Sequence, residues 1–270
     1  MNDSAFASYV RLWNLAPDGV PIETHSSWLL PVKRDCMAVM LKVAKPSSDE
    51  CNAAALLRYF DGHGAVRLFE AQGRALLLER VDGQSLMAMA TNGGDAPAAE
   101  ILAETVRKLH ARRSGPIPDC LTPLQQWFSS LYDRANVLPI LARCADVARD
   151  LIANEREVVP LHGDLHHDNV LDASTRGWLA IDPKALIGER AYEIANLLGN
   201  PWPHGDIVHR PERMRRLAVL YAAALGLDVD RILAFAFAHA GLAASWDMQD
   251  GGDPTYRLRC AEVLEAAIDG

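Results

Sequence analysis

The chain changes character at one place. Before Val81-Asp82-Gly83 its apolar residues come in strand-length runs, and beyond it they recur at helical spacing. Residues 28–32 and 37–43 are two apolar runs around the polar segment Lys33-Arg34-Asp35-Cys36, which predicts a hairpin. A helix is expected over 47–60, capped by Ser48 or Asp49, with Ala53, Leu56, Leu57 and Phe60 on one face. Residues 61–64 (DGHG) end it, and 66–69 and 75–79 form a second hairpin turned at 71–74. Helices are expected over 98–112, 123–134, 138–153, 211–225 and 229–246. One β-like island, 158–183, interrupts them, with short runs at 170–171 and 178–181. Half of the 270 residues are hydrophobic, enough for a substantial core. The expectation is an α+β chain with a small β-rich N-terminal lobe, residues 1–80, and a larger helical lobe, residues 81–270. A cleft between two lobes is a usual place for a small-molecule site.

The island carries the chemistry. In Leu161-His162-Gly163-Asp164-Leu165-His166-His167-Asp168-Asn169-Val170 an Asp is followed five positions later by an Asn. A second Asp, Asp182, ends the next apolar run. This is the order and spacing of a kinase catalytic loop and its metal-binding Asp. A hydroxyl attacking a terminal phosphorus must lose its proton, and a carboxylate in hydrogen-bond reach accepts it. Asp164 suits that role. Magnesium, which bridges phosphate oxygens, takes hard oxygen ligands and few of them from protein. Asn169 and Asp182 supply an amide oxygen and a carboxylate. The competing reading, a polar turn with Asp and Asn capping backbone groups, explains any one of these residues better than the ordered set. A zinc cluster of His162, His166 and His167 lacks the HExxH spacing, and His162 reads instead as a buried brace of the loop.

Lys42 stands in the apolar strand 39–43, where an ammonium needs a partner. Glu50, at the start of the following helix, is the expected one, matching the strand-Lys and helix-Glu pair of kinases. A snorkelling surface lysine is the alternative. There is no GxxxxGK[ST] loop and no GxGxxG loop before Lys42. Thr24-His25-Ser26-Ser27-Trp28 stands in that position. There the backbone and the Ser26 and Ser27 hydroxyls contact phosphates, or the segment is an ordinary polar turn.

The net charge of -8 and pI near 5.6 disfavour nucleic acid and favour cations. Five scattered cysteines without CxxC predict free thiols in a reducing compartment. The N-terminus has no signal-peptide pattern, and no run approaches the roughly 18 apolar residues of a membrane span. A soluble, cytoplasmic monomer is expected.

LHGDLHHDNVLD, the following GWLAIDPKALIGERAYEIANLLGNP, THSSWLLPV with MLKVA, and GLAASW together resemble the aminoglycoside phosphotransferases. They most resemble the branch that phosphorylates streptomycin at its 6-hydroxyl and is grouped with hydroxyurea kinases. The similarity runs from about Thr24 to Trp246. The resemblance implies a two-lobe protein-kinase-like fold, ATP (or GTP) and Mg2+, with a cationic antibiotic as acceptor. It implies Asp164 as base, Asn169 and Asp182 as metal ligands, and Lys42 as the phosphate-binding lysine. Glu79 to Val81 fall where the lobe connector meets the purine. Asp168, Glu189 and Glu193 are the acids expected against the antibiotic, because guanidinium groups pair with carboxylates. Other small hydroxyl acceptors (hydroxyurea, an amino alcohol) keep the same chemistry, and a non-catalytic nucleotide- or antibiotic-binding protein keeps only the fold. Lys184-Ala185 departs from the expected pattern, which has a less basic residue and often Gly.

Overall fold

A computed structural model describes residues 3–46 and 52–269. Helix α1 (Asp3–Leu12) leads into strands β1 (Leu15–Pro17), β2 (Ile22–Glu23), β3 (Ser27–Arg34) and β4 (Met37–Ala44). Helix α2 (Ala53–Phe60) and the hairpin β5 (Leu68–Gln72) and β6 (Ala75–Glu79) follow. These strands form one antiparallel sheet in the order β1-β3-β4-β6-β5, with β2 beside β3. Both predicted hairpins are present. The first turns at Asp35, a non-glycine residue with φ 55°, and the second at Gly73, φ 56°. The expected strand at 66–69 begins only at Leu68, because the Val66 N–H bonds to the Ala180 carbonyl at 3.0 Å instead. Of the helix expected over 47–60, α2 is the part described; Ser48, Asp49 and Glu50 lie outside the described residues.

Strand alternation sorts the sheet into two faces. Leu30, Val32, Val39, Leu41, Val43, Ala75 and Leu77 pack with Phe6 and Leu15 into a small core beneath α1. The opposite face carries Leu29, Met40, Lys42, Leu76 and Leu78 toward the rest of the chain. Lys42 is registered between Leu29 and Leu76 on the neighbouring strands.

The remainder is mainly helical: α3 (Met87–Thr91), α4 (Asp95–Leu109), strand β7 (Thr122–Pro123), α5 (Leu124–Trp127), α6 (Ser129–Arg134) and α7 (Pro139–Ala153). Then come β8 (Val158–Leu161), the hairpin β9 (Val170–Asp172) and β10 (Trp178–Ala180), and β11 (Leu186–Glu189). The chain closes with α8 (Ala195–Leu198), α9 (Gly205–Val208), α10 (Pro211–Leu225), α11 (Val229–Gln249) and α12 (Thr255–Asp269). The helix expected over 123–134 is two, broken at the fully buried Phe128, whose ψ of 2° leaves the helical range. The 211–225 helix has the expected bounds, with Pro211 in its first turn and Gly226 at φ 67° ending it. α11 is apolar nearly all round, because α7, α8, α10 and α12 surround it. Among the described residues no helix is long and apolar enough to cross a membrane.

Burial holds three histidines of this helical part neutral: it lowers His162, lowers His167 to about 4 and lowers His239 to about 3. Unfolded, each titrates near pH 6.5. A depressed folded pKa contributes stability that is present above pH 6.5 and is lost as pH falls toward 4 and 3. Glu155 and Asp247, raised by burial, act in the opposite direction but are partly exposed. The urea midpoint is therefore expected to drop between pH 7.5 and 5.0. Over that range the imidazole resonances of His167 and His239 stay near their neutral positions. A midpoint that holds or rises at pH 5.0 contradicts this reading.

Candidate active site

The inward face of the sheet forms one wall of a cavity of about 340 Å³. Ser27, Lys42, Glu79 and Val81 line it from the sheet side, and Asn169 and Asp182 from the hairpin β9–β10 and the residues after it. Apart from Thr24 its remaining lining is apolar: Leu29, Met40, Leu76, Leu78, Leu171 and Ile181 among others. A mainly apolar cavity with Lys42 and Asp182 in its wall suits a nucleotide. Ser27 is buried, while Ser26 contributes a carbonyl that accepts the Lys45 N–H at 2.8 Å. The Ser26 and Ser27 hydroxyls stand 3.4 Å apart. The ammonium of Lys42 is hydrogen-bonded to Asp182 Oδ1. Burial pushes the Asp182 carboxyl up, but the charges of Lys42 and Lys184 outweigh it and hold the group at about 2. The Glu79 carboxylate is paired with Arg176, and its N–H is committed to the Arg67 carbonyl at 2.9 Å.

The loop bearing Asp164 is braced from below. Gly163 has φ 82°, and a Cβ there would meet the Leu186 side chain at 2.6 Å, so only glycine fits. The buried Glu193 carboxylate accepts the N–H groups of His162 (2.7 Å) and Gly163 (3.0 Å) and lies 3.2 Å from His110 Nε2. Burial alone would raise this carboxyl, but the hydrogen bonds from His110 and from the Gly163 N–H keep it below its ordinary value. His162 donates from Nε2 to the Ile181 carbonyl (2.8 Å) and accepts the Asp164 N–H at Nδ1 (3.3 Å). It thereby ties the loop to the segment after β10 that carries Asp182. Asn169 spends its Nδ2 on the Asp164 carbonyl (2.9 Å), so its remaining side-chain polar atom is the oxygen.

The Asp164 carboxylate opens into a second cavity of about 370 Å³. Asn196 Nδ2 donates to its Oδ1 at 3.1 Å, and Lys184 Nζ lies 3.8 Å from its Oδ2. Asp168 also lines this cavity and accepts from the Ser85 hydroxyl at 3.1 Å. Three tryptophans, Trp127, Trp202 and Trp246, and the carboxyl of Asp247 complete the walls used here. Trp127 donates to the Tyr192 hydroxyl (2.8 Å), which is 2.9 Å from His239 Nδ1. Its ring meets Trp246 edge-on, with centroids 5.0 Å apart. Aromatic faces beside carboxylates hold cationic, sugar-like molecules.

Two of the acids expected against the acceptor are elsewhere. Glu189 ends β11 with its carboxylate in a buried ion pair with Arg231, and Glu193 supports the loop from a 3-10 turn over Arg190–Ile194. Both are under 4% exposed, and neither lines the second cavity. Pairing of carboxylates with guanidinium groups names acids near the loop but does not say which side of it each carboxylate enters. Asn196, Asp247 and the tryptophans went unread. Asn196 and Trp246 lie inside segments that carry the family resemblance, but no spacing rule singles them out. A larger cavity of about 920 Å³ shares none of these lining residues and is edged by Arg107, Lys108, Arg112 and Arg113. There Arg113 caps the last carbonyls of α4, a structural use of cations at a helix C-terminus.

The donor set fits a magnesium ion. Asp182 and Asn169 offer two hard oxygens on facing segments, which leaves room for the waters and phosphates that magnesium keeps. Among the described residues no three His, Cys, Asp or Glu side chains converge as a metal cluster.

A family model described as aminoglycoside/hydroxyurea antibiotic resistance kinase matches residues 12–251. The chain is 46% identical over 243 residues to a streptomycin 3''-kinase from Klebsiella pneumoniae, covering 88% of this chain and 91% of that protein. It is 32% identical over 256 residues to a streptomycin 6-kinase from Streptomyces glaucescens, covering 88% and 80%. Among solved structures, a choline/ethanolamine kinase family protein from Mesorhizobium loti superposes with a TM-score of 0.72 at 14% identity, covering 99% of this chain and 95% of that one. At that identity the likeness is one of fold, and the fold is the kinase type with an antiparallel sheet and a larger helical part.

Proposed function

The chain belongs to the aminoglycoside/hydroxyurea antibiotic resistance kinases, and from that premise we propose that it transfers a phosphoryl group from ATP to a hydroxyl of streptomycin. The observation that carries the reading is the meeting of two cavities at one acid cluster. Asp182 lines the apolar slot, Asp164 lines the tryptophan-walled cavity, and Lys184 lies within 4 Å of a carboxylate oxygen of each.

In this reading Asp164 accepts the proton of the attacking hydroxyl, with Asn196 holding the carboxylate in place. Asp182 and Asn169 hold magnesium, which when bound neutralises charge on the phosphates. Lys42 moves from Asp182 to phosphate oxygens, and Ser27 with Ser26 borders them. The purine meets the connector at Val81, since the Glu79 N–H is already committed. Asp168 and Asp247 face the cationic groups of the acceptor, and the indoles take its ring faces. Residues 1–80 then act as the nucleotide lobe and 81–270 as the catalytic and acceptor lobe. Catalysis is positioning and electrostatic stabilisation of an in-line transfer.

The resemblance of the loop segments favours the 6-hydroxyl. A second reading, the 3''-hydroxyl, is favoured by the 46% identity to a protein of that name. Phosphorus-proton correlation spectra of the product decide between them. Coupling of phosphorus to H6 is the expected result, and coupling to H3'' moves the assignment to the second reading. Transfer to hydroxyurea or an amino alcohol but not to streptomycin overturns the acceptor. Nucleotide binding without ADP formation on any acceptor overturns the enzyme.

A further inference from the structure

The residue after Asp182-Pro183 is a lysine aimed at the junction of the two cavities. Lys184 Nζ lies 3.4 Å from Asp182 Oδ2 and 3.8 Å from Asp164 Oδ2, while Lys42 engages the other oxygen of Asp182. The backbone that directs it is unusual. Asp182 (φ 61°) and Ala185 (φ 57°) are both left-handed, a region that non-glycine residues rarely enter. Hydrogen bonds from Lys184 N–H to the His162 carbonyl (2.7 Å) and from Thr122 N–H to the Ala185 carbonyl (3.0 Å) pin the segment there. Ala185 is fully buried, so the segment is locked rather than loosely exposed. Backbone outliers of this kind concentrate where a side chain must be aimed.

We propose that Lys184 binds the phosphoryl group in transit, holding the terminal phosphate of the bound triphosphate and staying with it as it moves to the acceptor. The inference rests on the kinase reading above. Before nucleotide binds, two carboxylates compensate the ammonium, so its charge does not repel a cationic acceptor. In the reaction the bond from the acceptor oxygen to phosphorus forms and the bond from phosphorus to the bridging oxygen breaks. The electron pair leaves with the nucleoside diphosphate, and the hydroxyl proton passes to Asp164. Lys184 exchanges no proton. Its three donors face the spread charge on the equatorial oxygens of the moving group.

Calorimetric titration of Mg-ADP and of non-hydrolysable Mg-AMP-PNP tests this in wild type, Lys184→Met and Lys184→Arg. The methionine variant is expected to bind AMP-PNP about tenfold more weakly or worse, the loss of one charge-assisted hydrogen bond, with ADP affinity within about twofold. The arginine variant retains part of the preference for AMP-PNP. A side chain 26% exposed tolerates either change, and an unaltered melting midpoint verifies that each variant folds. Equal weakening of ADP and AMP-PNP, or an unchanged preference with only the acceptor KM altered, overturns the role of Lys184 and leaves the kinase reading intact. Failure of wild type to bind either nucleotide overturns both.

Discussion

Asp164→Asn is expected to lower turnover on the order of 10²–10⁴-fold while leaving Mg-ADP affinity within about twofold. Asparagine keeps the shape of the side chain and an oxygen for the Asn196 amide, which now donates at 3.1 Å. It cannot take a proton from the acceptor hydroxyl. The loop itself is held by groups other than the Asp164 carboxylate: His162, Glu193, and Asn169 through the Asp164 carbonyl. The change should therefore leave the melting midpoint in place, so the loss falls on kcat. Initial-rate kinetics with a coupled ADP assay measures it. Turnover near wild type would remove Asp164 from the role of base.

Glu193→Ala should have the largest effect on stability. The carboxylate is 2% exposed and accepts two buried backbone N–H groups, with His110 Nε2 a third neighbour. Removing it strands these donors and opens a polar void under the catalytic loop. A cost of about 3–5 kcal/mol follows, or roughly 10 °C in melting temperature for a chain of this size. Activity falls with the folded fraction and with the position of Asp164. An acceptor-contacting glutamate would behave otherwise: the streptomycin KM would rise at an unchanged melting midpoint. Thermal denaturation and KM, measured on the same variant, separate the two roles.

What could be read in the sequence was whatever local chemistry dictates. Apolar runs around short turns gave both hairpins of the sheet, and Pro211 with Gly226 marked both ends of α10. The ordered Asp164, Asn169 and Asp182 were legible because they match the order and spacing of a kinase catalytic loop, and the structure sets Asp164 in one cavity wall and Asn169 and Asp182 in the other. Hidden were elements whose form depends on distant neighbours. β8 and β11 are four-residue strands that pair across a gap in sequence longer than either. α12 lacks strong amphipathic spacing because it packs on both α10 and α11. The walls of the second cavity were invisible for the same reason. Trp127, Trp202 and Trp246 come from three separate segments, and only the fold brings their rings together. Glu189 and Glu193 misled because burial turned both carboxylates into supports.

The central question is whether the acid cluster between the cavities moves phosphate to an antibiotic. ADP release from Mg-ATP, measured with and without streptomycin on the wild-type chain, tests that most directly. Release that depends on streptomycin and rises with its concentration to saturation is the predicted result. Release that streptomycin leaves unchanged, from a chain that binds Mg-ATP, would contradict it.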